Sequence, residues 1–448
     1  MKEQKSIPVG KVERATKFVQ TGAKIGGNYI KHYTKKVFDH DLSKDELHEA
    51  NSKDIYNTLS ELKGSALKVA QMLSQDKNML PQAYVDKFSM AQYSAPPLSY
   101  PLVVKTFQKY LGASPDSIFD TFERSAGNAA SIGQVHQATK DGKKLAVKIQ
   151  YPGVAESVSS DLKIVRPFAI RLLNMKEKDL DMYMDEVESK LIEETDYDLE
   201  LQRSTEISEA CKHIDGLVFP KYYPELSSRR ILTMDWLDGK HMVEFLKENP
   251  SQEIRNKLGQ LLWDFYDFQI HTLRKVHADP HPGNFLLRDD GTLGVIDFGC
   301  VKVIPDEFYN EYFKLISREV MNDRDQLLET YERLDFFDAE DTPQQRKIYF
   351  DLFYQMTNLL AKPFHANVFD FSDDSYFQSI YEFGEYISTI KEIKDTRQAR
   401  GSRHGIYINR TYFGLYNLLN QLKAVIHTGS LNKSGLDKRD VIINSPVI

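Results

Sequence analysis

The chain has 448 residues, 41% of them hydrophobic and 27% charged, with a net charge of −7. That balance is globular, speaks against a disordered or membrane-spanning protein, and allows two or three domains or one large bilobal unit. No run approaches the 18 apolar residues of a membrane-spanning helix, the N-terminus lacks the apolar core of a secretory signal, and two cysteines (Cys211 and Cys300) fit a reducing compartment, so a cytoplasmic protein is expected.

Residues 1–36 carry nine Lys/Arg against Glu3 and Glu13, a local charge of +7 that leaves −14 for the rest. A basic end on an acidic body points to an anionic surface as partner. Within it, FVQTGAKIGGNYI interleaves apolar and small residues with lysine. Two readings fit: a peripheral contact with anionic membrane lipid, or a solvated helix packed on its own domain. Nucleic acid is not expected, because the positive charge does not extend over the main domain. DELHEANSKDIYNTLSELKGSALKVAQMLSQ follows, with Ile55, Leu59, Leu62, Leu67, Val69 and Met72 at helical spacing. SAPPLSYP (94–101) reads as a loop, and PLVVKTFQKYLG as an amphipathic helix ending at Gly112.

The pattern then changes. SIGQVHQATKDGKKLAVKIQ (131–150) has two alternating runs about Asp141–Gly142, a hairpin signal. Residues 160–212 return to helix, and GLVFPKYYP and RRILTMDWLDG are candidate strands. From there the chain reads as helical to about residue 429, apart from a short hairpin in LLRDDGTLGVIDFG (286–299) with Asp290–Gly291 at its turn. The residues after Gly429 read as a tail. The expected domains are a helical extension (1–110), a sheet-containing lobe with inserted helices (111–237), a helical lobe (238–430) and the tail (431–448). This is an α+β plan, the order of a bilobal protein-kinase-like fold.

The chemistry concentrates in HADPHPGN (277–284) and VIDFG (295–299). Asp279 precedes Asn284 by five residues, the Asp-to-Asn step of a kinase catalytic loop, and an Asp-Phe-Gly follows at Asp297. In such a loop one carboxylate faces the attacking nucleophile, while an amide and a second carboxylate hold Mg2+ on ATP. Asp279 is therefore the candidate base, and Asn284 and Asp297 the candidate metal ligands. Magnesium takes oxygen donors and few protein ligands, which suits this pair. The competing reading, a transition-metal site of His277, Asp279 and His281, leaves Asn284, Asp297 and Lys148 without roles. Lys148 in KLAVKIQ occupies the place of the lysine that pairs the ATP phosphates. Such a lysine needs an orienting carboxylate, and EETDYDLE (193–200) offers Glu194, Asp196 and Glu200. The glycine-rich loop of protein kinases is replaced by GNAASIG (127–133). There Ala129, Ala130 and Ser131 would form a stiffer turn over the phosphates, which either repositions the nucleotide or disfavours protein phosphorylation. In ILTMDWLDGKHM, Met234 is the candidate adenine neighbour, and Asp235 to Leu237 the candidate hinge backbone.

Together AASIGQVH (129–136), AVKIQYPGV (146–154), DPHPGN (279–284) and DFG (297–299) resemble the AarF/UbiB (ADCK-like) family of atypical kinase-like proteins. The resemblance runs from about residue 55 to at least 430, and NRTYFGLYNLL (409–419) looks like the family's C-terminal helix. It implies that Lys68 and Gln71 of LKVAQML are gating residues of the family's KxGQ signature, although Ala70 replaces its glycine. It implies that Glu194 and Asp196 match the ExD motif and that Glu200 partners Lys148. It further implies Mg-dependent ATP binding, ATPase or kinase activity, and a role in isoprenoid quinone or other lipid metabolism at a membrane surface. A nucleotide-binding scaffold with little turnover is the alternative. A conventional Ser/Thr protein kinase fits less well, because the glycine-rich loop and an A-P-E segment are missing.

Overall fold

The computed structural model describes residues 11–38, 45–62, 82–89, 98–129, 132–173, 177–390 and 400–429. The chain divides into two compact units, Met1–Gln202 with Lys221–Trp236, and Arg203–Pro220 with Leu237–Ile448.

The first unit begins with helices α1 (Lys11–Phe38), α2 (Asp45–Leu62), α3 (Gln82–Ser89) and α4 (Tyr100–Leu111). Pro101 in the first turn of α4 starts it without losing a needed N–H, and Gly112 stops it with φ 71°. A four-residue helix, α5 (Pro115–Ile118), leads into strands β1 (Thr121–Phe122), β2 (Asn128–Ala129), β3 (Gly133–Lys140) and β4 (Lys143–Gln150). Asp141 (φ 51°) and Gly142 (φ 74°) make the tight β3–β4 turn that the Asp-Gly pair predicts. Strand β6 (Ile231–Asp235) completes an antiparallel sheet of order β1-β3-β4-β6, with β2 on β3. Strand β4 lies between β3 and β6, and Leu145, Val147 and Ile149 are fully buried with Phe107, Ile231 and Leu232.

The predicted helical stretch 160–212 is three helices: α6 (Val154–Leu173), α7 (Glu177–Glu194) and α8 (Tyr197–Ala210). The basic helix α1 is tied to α6 by a buried bidentate pair. Arg14 Nε and Nη2 reach the Asp161 carboxylate at 2.7 and 2.5 Å, and Arg14 Nη1 donates to Leu62 O at 2.9 Å. One face of α1 thus packs on its own unit through Phe18, Thr21 and His32. Val19, Ile30 and Tyr33 on other faces are exposed, with Lys24, Lys31 and Lys35.

The second unit is mainly helical. It contains β5 (Leu217–Val218), α9 (Met242–Lys247), α10 (Gln252–Phe268), β7 (Lys275–His277), β8 (Phe285–Leu287), β9 (Leu293–Val295) and β10 (Val301–Val303). Helices α11 (Asp306–Tyr312), α12 (Arg318–Asn322), α13 (Arg324–Arg333) and α14 (Pro343–Ala361) follow. Then come β11 (Val368–Asp370), α15 (Asp374–Thr389), α16 (Arg403–Leu422) and β12 (Val425–His427). The expected hairpin is β8–β9, with Gly291 at φ 76°. Two pairings differ from the helical expectation, β7 with β10 and β11 with β12, while the expected strands β5 and β9 pair in parallel. Two or three residues leave no alternating pattern to read, and the partners are distant in sequence. Trp263, Phe265, Tyr266, Phe298, Leu415 and Tyr416 form part of one buried core.

Candidate active site

In the first unit the site is built outward from β4. Lys148, mid-strand between β3 and β6, sends Nζ to Glu200 Oε1 at 2.8 Å, with only 9% and 4% of the two side chains exposed. The junction of α7 and α8 explains why Glu200 reaches it. Gln150 Nε2, two residues along the same strand, donates to Thr195 O at 3.1 Å, and Arg230 also donates to that carbonyl. Asp196 Oδ1 accepts from Leu199 N at 3.3 Å in the first turn of α8, and Asp196 Oδ2 pairs with Arg229 at 3.0 Å. Helix α8 therefore starts fixed against β4. Its first residue, Tyr197, sets its ring 5.1 Å from Lys148 Nζ, and Glu200 follows three residues later on the same face. Of the three acids open in EETDYDLE, Glu200 is brought to Lys148, Asp196 starts the helix, and Glu194 ends α7 half-buried.

The GNAASIG segment is only partly visible. Gly127 N donates to Val135 O at 3.0 Å, and Ala129 pairs with Gln134. Ala130 and Ser131 lie outside the described residues. Gly133 has a packing reason to be glycine: a Cβ there would stand 2.4 Å from Ile149 O and 3.0 Å from the Tyr197 hydroxyl. The Gln and His of SIGQVH are structural as well. Gln134 Oε1 accepts from Leu98 N at 2.7 Å, and Gln134 Nε2 lies 2.7 Å from His136 Nε2. His136 Nδ1 lies 2.7 Å from Glu123 O. Burial pushes the His136 pKa down, and the neutral ring with hydrogen on Nδ1 satisfies both contacts. Met234 is buried in β6 opposite Ala146. Asp235 N and Trp236 N are engaged with Lys221 O (2.9 Å) and Lys144 O (3.0 Å).

In the second unit the loop after β7 is fixed by its own main chain. Ala278 N donates to Cys300 O at 2.9 Å, His281 N to Asp279 O at 2.7 Å, and Asn284 N to His281 O at 3.0 Å. Asn284 Nδ2 also donates to Asp279 O at 2.9 Å, which leaves the amide oxygen as the end that can ligate a hard cation. Ile296 N donates to Asn284 O at 3.1 Å, continuing the β8–β9 pairing and bringing Asn284 beside the strand that delivers Asp297. Asp297 Oδ1 accepts from Gly299 N at 2.7 Å. One amide oxygen and one carboxylate are donors suited to Mg2+, so the residues fit that ion. Asp279 is half-buried, and its carboxylate lies 3.6 Å from Arg410 Nη2 of α16. The sequence reading missed Arg410, since a single arginine in a helical stretch carries no signal of its own.

The competing transition-metal site is not supported. Among the described residues no group of three or more His, Cys, Asp or Glu is placed to hold a metal. His277 is buried 5.6 Å from the Phe298 ring, with Nδ1 3.2 Å from the Tyr266 hydroxyl, and His281 Nδ1 accepts from Gly283 N at 3.0 Å. Burial pushes the His277 pKa down, partly offset by Asp279 and Asp297. Lys68 and Gln71 lie outside the described residues, as do residues 430–448. No described helix is long and apolar enough to cross a membrane.

Comparison with known proteins now adds to this geometry. Residues 90–331 match the ABC1 atypical kinase-like domain. A probable serine/threonine-protein kinase of Dictyostelium discoideum, abkA, is 27% identical over 80% of this chain and 69% of its own. The atypical kinase COQ8 of Saccharomyces cerevisiae, described as mitochondrial, is 28% identical over 86% of this chain and 76% of its own. Coverage of such curated relatives falls as low as 43% of their length. Among solved structures, Rv3197 of Mycobacterium tuberculosis, in complex with erythromycin, is similar with a TM-score of 0.60 and 28% identity, over 89% of this chain and 99% of that one.

Proposed function

The chain belongs to the ABC1 atypical kinase-like family, and from that premise we propose that it consumes Mg-ATP in phosphoryl transfer, as an ATPase or small-molecule kinase. The carrying observation is the loop in which Asp279 O holds the Asn284 amide while the paired strand delivers Asp297. In this reading Lys148, oriented by Glu200 and Tyr197, holds the α/β-phosphates, and Met234 and the segment to Leu237 receive the base. Asn284 and Asp297 hold Mg2+, which would neutralise charge on the phosphates. Asp279 takes the proton of the attacking O–H as its oxygen bonds to the γ-phosphorus and the bond to the β-phosphate oxygen breaks, releasing ADP. Ala129 to Ser131 cover the phosphates, and Lys68, Gln71, Glu194 and Asp196 gate the site, as the family resemblance implies.

Several features support a lipid or isoprenoid quinone setting at a membrane surface. COQ8 is among the relatives. Helix α1 presents Val19 and Ile30, 72% and 70% exposed, beside exposed lysines, a combination that suits peripheral contact with anionic lipid. Neither Cys211 nor Cys300 is in a disulfide, which fits a reducing, cytoplasm-like compartment.

The test is Mg-dependent ATP turnover by the purified chain, with and without anionic liposomes carrying a quinone-like phenol, alongside Asp279→Asn and Asp297→Asn. Turnover that rises with lipid and falls about a hundredfold or more in either variant supports the reading. Nucleotide binding without turnover under every condition would replace it with the scaffold reading.

A further inference from the structure

We propose that Arg410 is a positioning residue for Asp279, delivered to the catalytic loop by helix α16. The inference rests on the phosphoryl-transfer reading and deepens it.

The main chain around Asp279 is held within its own loop and by Cys300 O, but those bonds do not orient the carboxylate. The residue before it is Ala278, fully buried, so the loop brings no cation at that position. Helix α16 brings one. Arg410 Nη2 stands 3.6 Å from Asp279 Oδ1, with 31% of the arginine side chain and 23% of the aspartate exposed. That spacing is an ion pair without a close hydrogen bond. At that distance it biases the carboxylate toward one orientation by charge and not by a tight hydrogen bond.

Helix α16 is seated in the core of its unit on the side that carries Arg410's neighbours. Ile408, Leu415 and Leu419 are buried in the core, and Tyr412 Oη lies 2.9 Å from His271 Nε2. One turn beyond Arg410, the helix backbone rests on the residue next to Asp279: a Cβ on Gly414 would be 2.3 Å from Pro280 Cγ. One turn before Arg410, Lys302 Nζ lies 4.5 Å from the Tyr407 ring, so the same side of the helix also meets the strand that follows Asp297. A partly exposed ion pair contributes about 0–1 kcal/mol to stability. Its consequence is therefore orientation, and orientation of a reacting group affects turnover more than nucleotide affinity.

The experiment compares wild type, Arg410→Ala and Arg410→Lys in the full chain, measuring kcat and KM for ATP, nucleotide binding and melting temperature. Arg410→Ala is expected to lower kcat by about tenfold or more, with KM and nucleotide affinity changed less than about twofold and melting unchanged. Added guanidinium ion and the lysine variant should each restore part of kcat. A wild-type kcat in Arg410→Ala would overturn the proposal. So would a kcat loss that tracks a lower melting temperature and is not restored by lysine or guanidinium. A wild type that binds nucleotide without turnover would instead overturn the phosphoryl-transfer reading beneath it.

Discussion

The two units hold their functional charges in opposite ways. In the first, Lys148 and Glu200 are both nearly sealed from water and paired at 2.8 Å. In the second, Asp279, Asn284 and Asp297 are half-buried, and the Arg410 guanidinium stands 3.6 Å from Asp279. A buried pair is costly to create and more costly to break, because the survivor keeps its charge without its partner. A half-exposed carboxylate keeps much of its hydration and can exchange it for a ligand. In the first unit the functional pair is thus assembled as part of the core, and in the second the residues are held by hydrogen bonds of the loop's main chain and of the Asn284 and Asp297 side chains.

That contrast can be broken first at Glu200. Glu200→Ala strands the Lys148 ammonium, and a loss of about 3–5 kcal/mol in denaturant unfolding is expected. Replacing both partners, Lys148→Met with Glu200→Leu, should recover much of that stability and none of the nucleotide binding. If Glu200→Ala unfolds like wild type, the pair is not the buried anchor described above. In the second unit the corresponding lever is steric. Gly414→Ala forces either α16 or Pro280 to move, with a loss of about 1–3 kcal/mol, and ATP turnover should fall by more than stability does. Equal effects on both would show that the contact serves packing alone.

The smallest effect separates the units by pH. Burial holds His136 in one unit and His277 in the other below the usual histidine pKa, so both are neutral when folded. The unfolded chain takes up protons near pH 6.5. Stability should therefore be intact above that pH and decline below it, by at most about 1.4 kcal/mol per pH unit for each histidine. Unfolding curves from pH 7.5 to 5 measure the slope, and His277→Gln should flatten it. An unchanged slope in that variant would remove His277 from the account.

Much of this was readable in advance for a simple reason: the informative residues lie close together in sequence. The Asp279–Asn284 step, the Asp297-Phe298-Gly299 run and the Asp141–Gly142 turn each occupy one short segment, so their spacing survives without coordinates. The helical plan was legible too, because period-3.6 burial repeats over many residues in α4 and α16. Three-residue strands such as β7 and β10 carry no such repeat. GNAASIG is read through Ala129, Ala130 and Ser131, and its pattern gives no reason for Gly133, which Ile149 O and the Tyr197 hydroxyl require although neither is adjacent to it in sequence.

The chain's own sequence determined the kinase-like plan, the β3–β4 and β8–β9 hairpins, and the spacing that nominates Lys148, Asp279, Asn284 and Asp297. The residue pattern of EETDYDLE leaves three acids open and the family resemblance points to Glu200; tertiary structure supplies the reason it reaches Lys148, because Gln150 and Arg230 fix Thr195 O and thereby set where α8 begins. It also decided that Arg410 faces Asp279, because the buried side of α16 fixes the rotation of that helix. Both outcomes depend on contacts between residues far apart in the chain, and a one-dimensional pattern records periodicity and spacing but not the packing that brings such residues together.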